Sequence, residues 1–219
     1  GVQTCALPIL VLKPFSLTYI LYDEEDGLFG WLMALMSLAP VVFVVIICAS
    51  VLVHRDMHSC FLLAEMLSCT ALNQILKHII KQERPGGAQH THGMPSDHAQ
   101  FMSCLCVYLT LWLYNRVHLS SFVQNQIAIV ALWVTWGCVI YGRLYLGEHT
   151  VAQVIVGITV GCAYGLGWYS LDISVFRSYY HSISQWPLFR WLQFKDYSNV
   201  INPLEKERLL SEESTSKKD

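Results

Sequence analysis

An all-α membrane bundle of about five spanning helices is the fold this sequence predicts, and three observations predict it. Hydrophobic residues make up 54% of the 219-residue chain and charged residues only 14%, where a soluble domain carries roughly a quarter charged. The apolar residues are gathered into runs near the ~20 residues that a helix needs to cross a bilayer. Short polar segments separate those runs, so the chain reads as one polytopic unit rather than a soluble core. Its formal net charge of −2 offers no basic surface for nucleic acid.

The first apolar run, Gly30 to Val53, carries no charge. Four more follow: Ser59 to Ile80, His98 to Asn115, Ser121 to Gly142 and Thr150 to Leu171. The third is short for a bilayer and needs its helix to begin before the membrane. These runs delimit a membrane-embedded domain over 30–171, with an N-terminal segment at 1–29. Beyond it, 172–203 mixes aromatics with scattered charges and reads as interfacial, and the polar tail 204–219 reads as disordered. Cys48, Cys60, Cys69, Cys104, Cys106, Cys138 and Cys162 fall in or beside the apolar runs, where cysteine behaves as a small hydrophobe. No Cys-x-x-Cys pair is present for a closed zinc site.

Five spans put the N-terminal segment, the 81–97 loop and the 143–149 turn on one side of the membrane. The 54–58 turn, the 116–120 turn and the C-terminal region lie on the other. That second side takes nine of the 14 Lys and Arg, namely Arg55, Arg116, Arg177, Arg190, Lys195, Lys206, Arg208, Lys217 and Lys218. The positive-inside rule makes it cytoplasmic and the first side lumenal or external.

Three clusters of chemistry-bearing residues fall on the lumenal side. The end of the second run reads Lys77-His-Ile-Ile-Lys81-Gln-Glu-Arg84-Pro85. Seven residues are two helical turns, so a continuing helix would project Lys77 and Arg84 from one face, with Lys81 between. Cations at a membrane-embedded helix end call for an anionic partner, although snorkelling to headgroups accounts for such lysines taken alone. The second cluster, Gly93-Met94-Pro95-Ser96-Asp97-His98, opens the third run. Ser96 or Asp97 is a natural N-cap, and His98 falls in the first turn, where free N–H groups favour an anion. In the third, Gly142-Arg143 is followed by Glu148-His149 and Gln153. His149 and Gln153 stand i and i+4, so the amide oxygen can accept from one ring nitrogen. Gly157, Gly161 and Gly165 continue the same spacing and let a neighbouring helix approach closely. Each cluster alone admits an ordinary capping or interfacial role. Together they bring two histidines and three cations to one face, the set a phosphoryl transfer uses: a nucleophile, an acid and charges for the equatorial oxygens.

The three segments resemble the signature of the type 2 phosphatidic acid phosphatase superfamily: Lys-x6-Arg-Pro, Pro-Ser-Gly-His and Ser-Arg-x5-His-x3-Asp. The first is complete in Lys77 to Pro85. The second stands as Pro95-Ser96-Asp97-His98, with Asp97 for glycine, and the third as Gly142-Arg143 to His149 and Gln153, with glycine for serine and Gln153 for aspartate. The wording of Gly93 to Met102 and of His149 to Gln153 is similar to one branch, the dolichyl-diphosphate phosphatases. The resemblance implies the superfamily's membrane bundle over roughly residues 15–170, with His149 as nucleophile forming a phosphohistidine and His98 as general acid. It implies phosphate contacts from Lys77, Arg84, Ser96 and Arg143, no metal or other cofactor, and a polyisoprenyl (dolichyl) diphosphate substrate in the endoplasmic reticulum membrane. That activity recycles the lipid carrier of protein N-glycosylation. Gln153 can orient the His149 ring without offsetting imidazolium charge, and Lys81 is the extra cation available to a second phosphate. Three other readings are a broader lipid phosphate phosphatase, a catalytically silent scaffold, and a metal hydrolase built on His90, His92, His98 and His149. Glu65, twelve residues before Lys77 and so about 18 Å down a helix, is too deep for the phosphate and is expected to pack against a polar partner such as Asn73.

Overall fold

The computed structural model describes residues 12–15, 20–85, 92–116 and 122–196; the expected tail 204–219, His90 and all but Arg116 of the expected 116–120 turn lie outside them. A short antiparallel hairpin, β1 (Leu12–Phe15) and β2 (Ile20–Asp23), precedes the helices. Helices α1 (Gly27–Met36) and α2 (Ala39–His54) follow. Then come α3 (Met57–Ile80), α4 (Asp97–Arg116), α5 (Phe122–Tyr145) and α6 (Val151–Leu171). Past Leu171 the helix runs on through a π-helical turn, Asp172–Phe176, into α7 (Arg177–Ser184), and a short α8 (Pro187–Trp191) closes the described chain.

The run expected as one span from Gly30 to Val53 is two helices meeting at a 41° bend. Pro40 in the first turn of α2 is the cause. Its ring fixes φ and lacks an N–H, which suits a helix start and interrupts a helix interior. Among the described residues three other helices are long and apolar enough to cross a membrane, and the bent pair, counted as one span, brings the number to four. Helix α4 is outside that set because it is the centre of the bundle: Ala99 to Cys106 and Tyr108 are buried except for half-buried residues at its margins. A helix with no lipid-facing side does not need lipid-like composition, so Gln100 and Ser103 sit in it fully buried.

What packs α4 into the centre is the glycine row of α6. A Cβ added at Gly157 would come 2.8 Å from the Ser96 carbonyl, and one at Gly165 would come 2.7 Å from the Cys104 carbonyl. At Gly161 it would collide with the Gln100 carbonyl. The close approach expected from the GxxxG spacing is therefore backbone on backbone. At the end of the bundle opposite the histidines, Lys195 pairs with the α2–α3 turn through Lys195 N to Arg55 O at 2.7 Å and Met57 N to Lys195 O at 3.2 Å. Buried Asp172 there accepts from Tyr180 at 2.5 Å, from Tyr108 at 3.4 Å and from Arg177 at 3.4 Å. Glu65 is fully buried, but its partner is Cys104, whose thiol donates at 3.3 Å. Asn73 donates instead to Gln100 at 2.8 Å, which removes it as the expected partner of Glu65.

Gly161→Ala is expected to destabilise the fold by about 3 kcal/mol, the upper end for overpacking, because backbone cannot move aside. At ~2–4 °C per kcal/mol this is a thermal shift of several degrees in detergent. Gly137→Ala, with nothing within 4 Å of the added carbon, should leave the transition within a degree or two of the parent.

Candidate active site

Four elements deliver the site. Helix α3 supplies Lys77, the loop after it Arg84, the start of α4 Ser96 and His98, and the stretch from the end of α5 to the start of α6 supplies Arg143, His149 and Gln153. The two-turn helical spacing expected for Lys77 and Arg84 does not hold. Helix α3 stops at Ile80, Lys81 takes a left-handed C-cap conformation (φ 53°) with its N–H on Lys77 O at 2.9 Å, and Gln82–Pro85 run on as loop. Arg84 returns to the cluster from that loop, whereas Lys81 is exposed and is not brought into it.

His149 is the best-defined group. Thr150 caps α6 through a capping box with Gln153, whose side-chain oxygen accepts from Thr150 N at 3.2 Å and from His149 Nδ1 at 3.1 Å. The other end of the amide donates to the Glu83 carbonyl at 2.9 Å and to Gln82 Oε1 at 3.3 Å. A carbonyl only accepts, so the amide nitrogen must face Glu83 and its oxygen must face the histidine. His149 Nδ1 therefore carries the proton, and Nε2 holds a lone pair. That atom is buried and has no partner among the described residues, as are Ser96 Oγ, Arg84 Nε and Arg143 Nε. Burial, then the charges of Arg143, Arg84 and Lys77, push the His149 pKa down to about 3 against the raising effect of Gln153. The ring is neutral at physiological pH, as a nucleophile must be.

Ser96 stands just before α4, where a serine hydroxyl ordinarily caps the helix. Here only its carbonyl bonds the helix, accepting from Gln100 N at 3.0 Å, and its hydroxyl is left unbonded. Asp97, in the position of the superfamily glycine, forms an ion pair with Lys77 and accepts from Gln74 at 3.4 Å. His98 Nε2 donates to the Ser37 carbonyl at 3.0 Å.

Two participants were not singled out from the sequence. Ser37, buried at the α1–α2 bend, accepts from Arg143 Nη1 at 3.1 Å while its carbonyl holds His98; Pro40 was the available signal of the bend that brings it there. Glu148 accepts from Arg84 at 2.9 Å and lies 3.2 Å from Arg143 through the same oxygen. An acid adjacent to His149 in a cationic cluster was its signal. Met33 of α1 covers Gly142, its carbonyl 3.4 Å from where a Cβ would stand.

The model of the PAP2 superfamily matches residues 58–174. The chain belongs to that superfamily. It is 31% identical over 211 residues to dolichyldiphosphatase 1 of Rhinolophus ferrumequinum, covering 91% of this chain and 88% of the relative. It is 35% identical over 161 residues to dolichyldiphosphatase of Saccharomyces cerevisiae, with 69% and 67% covered. It is also 30% identical to lipid phosphate phosphatase gamma of Arabidopsis thaliana, covering 90% and 89%. The crystal structure of a transmembrane PAP2-type phosphatidylglycerolphosphate phosphatase from Bacillus subtilis shares the fold, with a TM-score of 0.58 at 21% identity over 68% of this chain and 79% of that one.

His149→Ala is expected to abolish phosphate release while leaving membrane insertion intact. Retention of activity within about tenfold, only ~1.4 kcal/mol of barrier, would rule out the nucleophile. The same variant reads out the depressed pKa. A histidine at about 3 when folded, against the ordinary 6.5, binds fewer protons folded than unfolded, so its neutral form costs stability progressively as pH falls through that window. The parent should therefore lose more thermal stability between pH 6.5 and pH 4 than His149→Ala does.

Proposed function

We propose that the protein is a membrane phosphatase that hydrolyses dolichyl diphosphate to dolichyl phosphate and orthophosphate through a phosphohistidine. The observation that carries the chemistry is the buried, unpartnered Nε2 lone pair of His149, held between arginines by a tautomer that Gln153 imposes. The polyisoprenyl diphosphate substrate is supported by the dolichyldiphosphatase relatives, which match along most of the chain.

In this mechanism His149 Nε2 attacks the terminal phosphorus and the bond to the bridging oxygen breaks. His98 gives that oxygen its proton, and dolichyl phosphate leaves. The Nε2–H of His98 is engaged by Ser37, so the proton that moves is one carried on Nδ1, taken up once the arriving anion offsets the burial and the cations that keep the resting ring neutral. Water then attacks phosphorus with His98 as base, the N–P bond breaks, and orthophosphate is released. Arg84, Arg143, Lys77 and the Ser96 hydroxyl stabilise the equatorial oxygens. A diphosphate is an apt leaving partner for this site. A phosphate oxygen departs more readily than an alkoxide, which suits a histidine whose orienting group is an amide rather than a carboxylate.

A place for the lipid supports the same reading. A cavity of about 280 Å³ lies between α2, α3 and α4, lined by Pro40, Val41, Val44, Thr70 and Phe101, with His98 at its wall. The first isoprene units of a substrate chain can lie there while its headgroup meets the cations. The site is proposed to face the lumen of the endoplasmic reticulum, on the cation asymmetry of the loops.

Purified protein is expected to release phosphate from a polyisoprenyl diphosphate at least about tenfold faster than from phosphatidate, a difference of ~1.4 kcal/mol in barrier. Equal rates would promote a general lipid phosphate phosphatase, and EDTA should change neither rate. For orientation, a glycosylation acceptor engineered into the 86–92 loop should be modified and one in the 205–219 tail should not. The reverse pattern would overturn the lumenal assignment and leave the chemistry standing.

A further inference from the structure

The cations proposed to hold the phosphoryl group are already holding carboxylates. Glu148 Oε2 sits 2.9 Å from Arg84 Nη1 and 3.2 Å from Arg143 Nη2, one oxygen bridging two guanidinium groups that arrive from different elements. Lys77 is likewise paired with Asp97. A bridging oxygen between two arginines is the contact a phosphoryl oxygen makes. The atoms around it point the same way: Arg84 Nε, Arg143 Nε, Ser96 Oγ and the adjacent His149 Nε2 are buried without partners among the described residues, donors and a nucleophile arranged for an anion with more oxygens than a carboxylate has.

We infer that Glu148 is an internal competitor that occupies the phosphoryl position of the resting site, with Asp97 acting similarly on Lys77, so that substrate phosphate must displace them. Position makes this feasible. Glu148 lies in the loop between α5 and α6, next to Gly147 (φ +65°), which has open space around its Cα. Its side chain can turn out of the cluster without disturbing either helix. Being 12% exposed, it has a route to water. Two consequences follow. Unpaired arginines would be costly in a buried site, and the carboxylates satisfy them until substrate arrives. When orthophosphate forms, the returning carboxylate competes with it and lowers product affinity. The alternative is a fixed brace, in which Glu148 stays put and merely orients both arginines for the substrate.

The inference rests on the phosphatase reading, but orthophosphate binding can be measured without turnover. Binding of inorganic phosphate to the detergent-solubilised full chain should be about tenfold tighter in Glu148→Gln than in the parent at equal salt, because the variant removes a like charge at contact distance from the phosphate position. KM for a polyisoprenyl diphosphate should fall in parallel. Glu148→Asp, which keeps the charge, should move phosphate affinity toward the parent value. Phosphate binding equal to or weaker than the parent in Glu148→Gln, or a loss confined to kcat, would establish a brace and overturn the competitor. Should Glu148→Gln fail to fold, Asp97→Asn reads the Lys77 half by the same measurement, with the same two outcomes. A parent without turnover but with these binding differences would sink the phosphatase reading and leave the competition intact.

Discussion

The approach of α6 to α4 through bare glycine backbone is the constraint on which the site depends. Helix α4 begins with Asp97 and His98 just after Ser96, and α6 has His149 just outside and Gln153 within its first turn. Gly157 lies against the Ser96 carbonyl, and Ser96 N donates to the Gln153 carbonyl at 3.1 Å. His98 and His149 are thus positioned by main chain at the tight end of a seam that Gly161 and Gly165 continue into the bundle. A side chain in that row would separate the helices and with them the two histidines. Rigid helices set an active site more tightly than loops do, and here the loops are tied back to the helices.

Gln153 makes the main tie. Its amide faces Glu83 with nitrogen and His149 with oxygen, which joins the loop carrying Arg84 to the imidazole in one chain of bonds. A carboxylate at 153 could accept from the imidazole and favour its charged form, yet it would oppose the Glu83 carbonyl with another acceptor. The departure from the superfamily aspartate is therefore matched to its surroundings in this chain. Gly93 belongs to the same arrangement: its N–H donates to Gln82 O at 2.6 Å, and a Cβ there would come 2.7 Å from Gln153 Nε2.

Much of this was legible in the sequence because bilayers impose length and composition. The apolar runs marked the helices to within a few residues, and the i, i+4 pair of His149 and Gln153 marked their hydrogen bond. The misreadings share a physical origin in local backbone. The bend at Ser37 and Leu38 interrupts an uncharged run that hydropathy cannot divide, and only Pro40 betrays it. The left-handed Lys81 ends α3 inside a stretch whose spacing suited a helix, so Arg84 reaches the site from a loop and Lys81 does not reach it at all. Glu65 could not be matched with Cys104 from sequence, since that contact depends on the rotation of α3 against α4. Glu148 and Ser37 were overlooked for a related reason. Their roles exist only once three distant segments meet.

Charge balance joins these details. Three cations gathered in a buried pocket repel one another, and after burial itself their charges depress the basicity of His149. That depression keeps the ring neutral, the form a nucleophile needs, before any substrate is bound. The same repulsion would oppose folding if nothing offset it, and Asp97 and Glu148 supply two negative charges against three positive ones. The resting site keeps a small positive excess, enough to attract an anion and modest enough to be stable in a membrane protein. Glycine and a neutral residue at positions 97 and 148 would leave the pocket more positive, with tighter hold on every phosphate, product included. The two acids are therefore best understood as setting the balance between capturing a lipid phosphate and letting orthophosphate go.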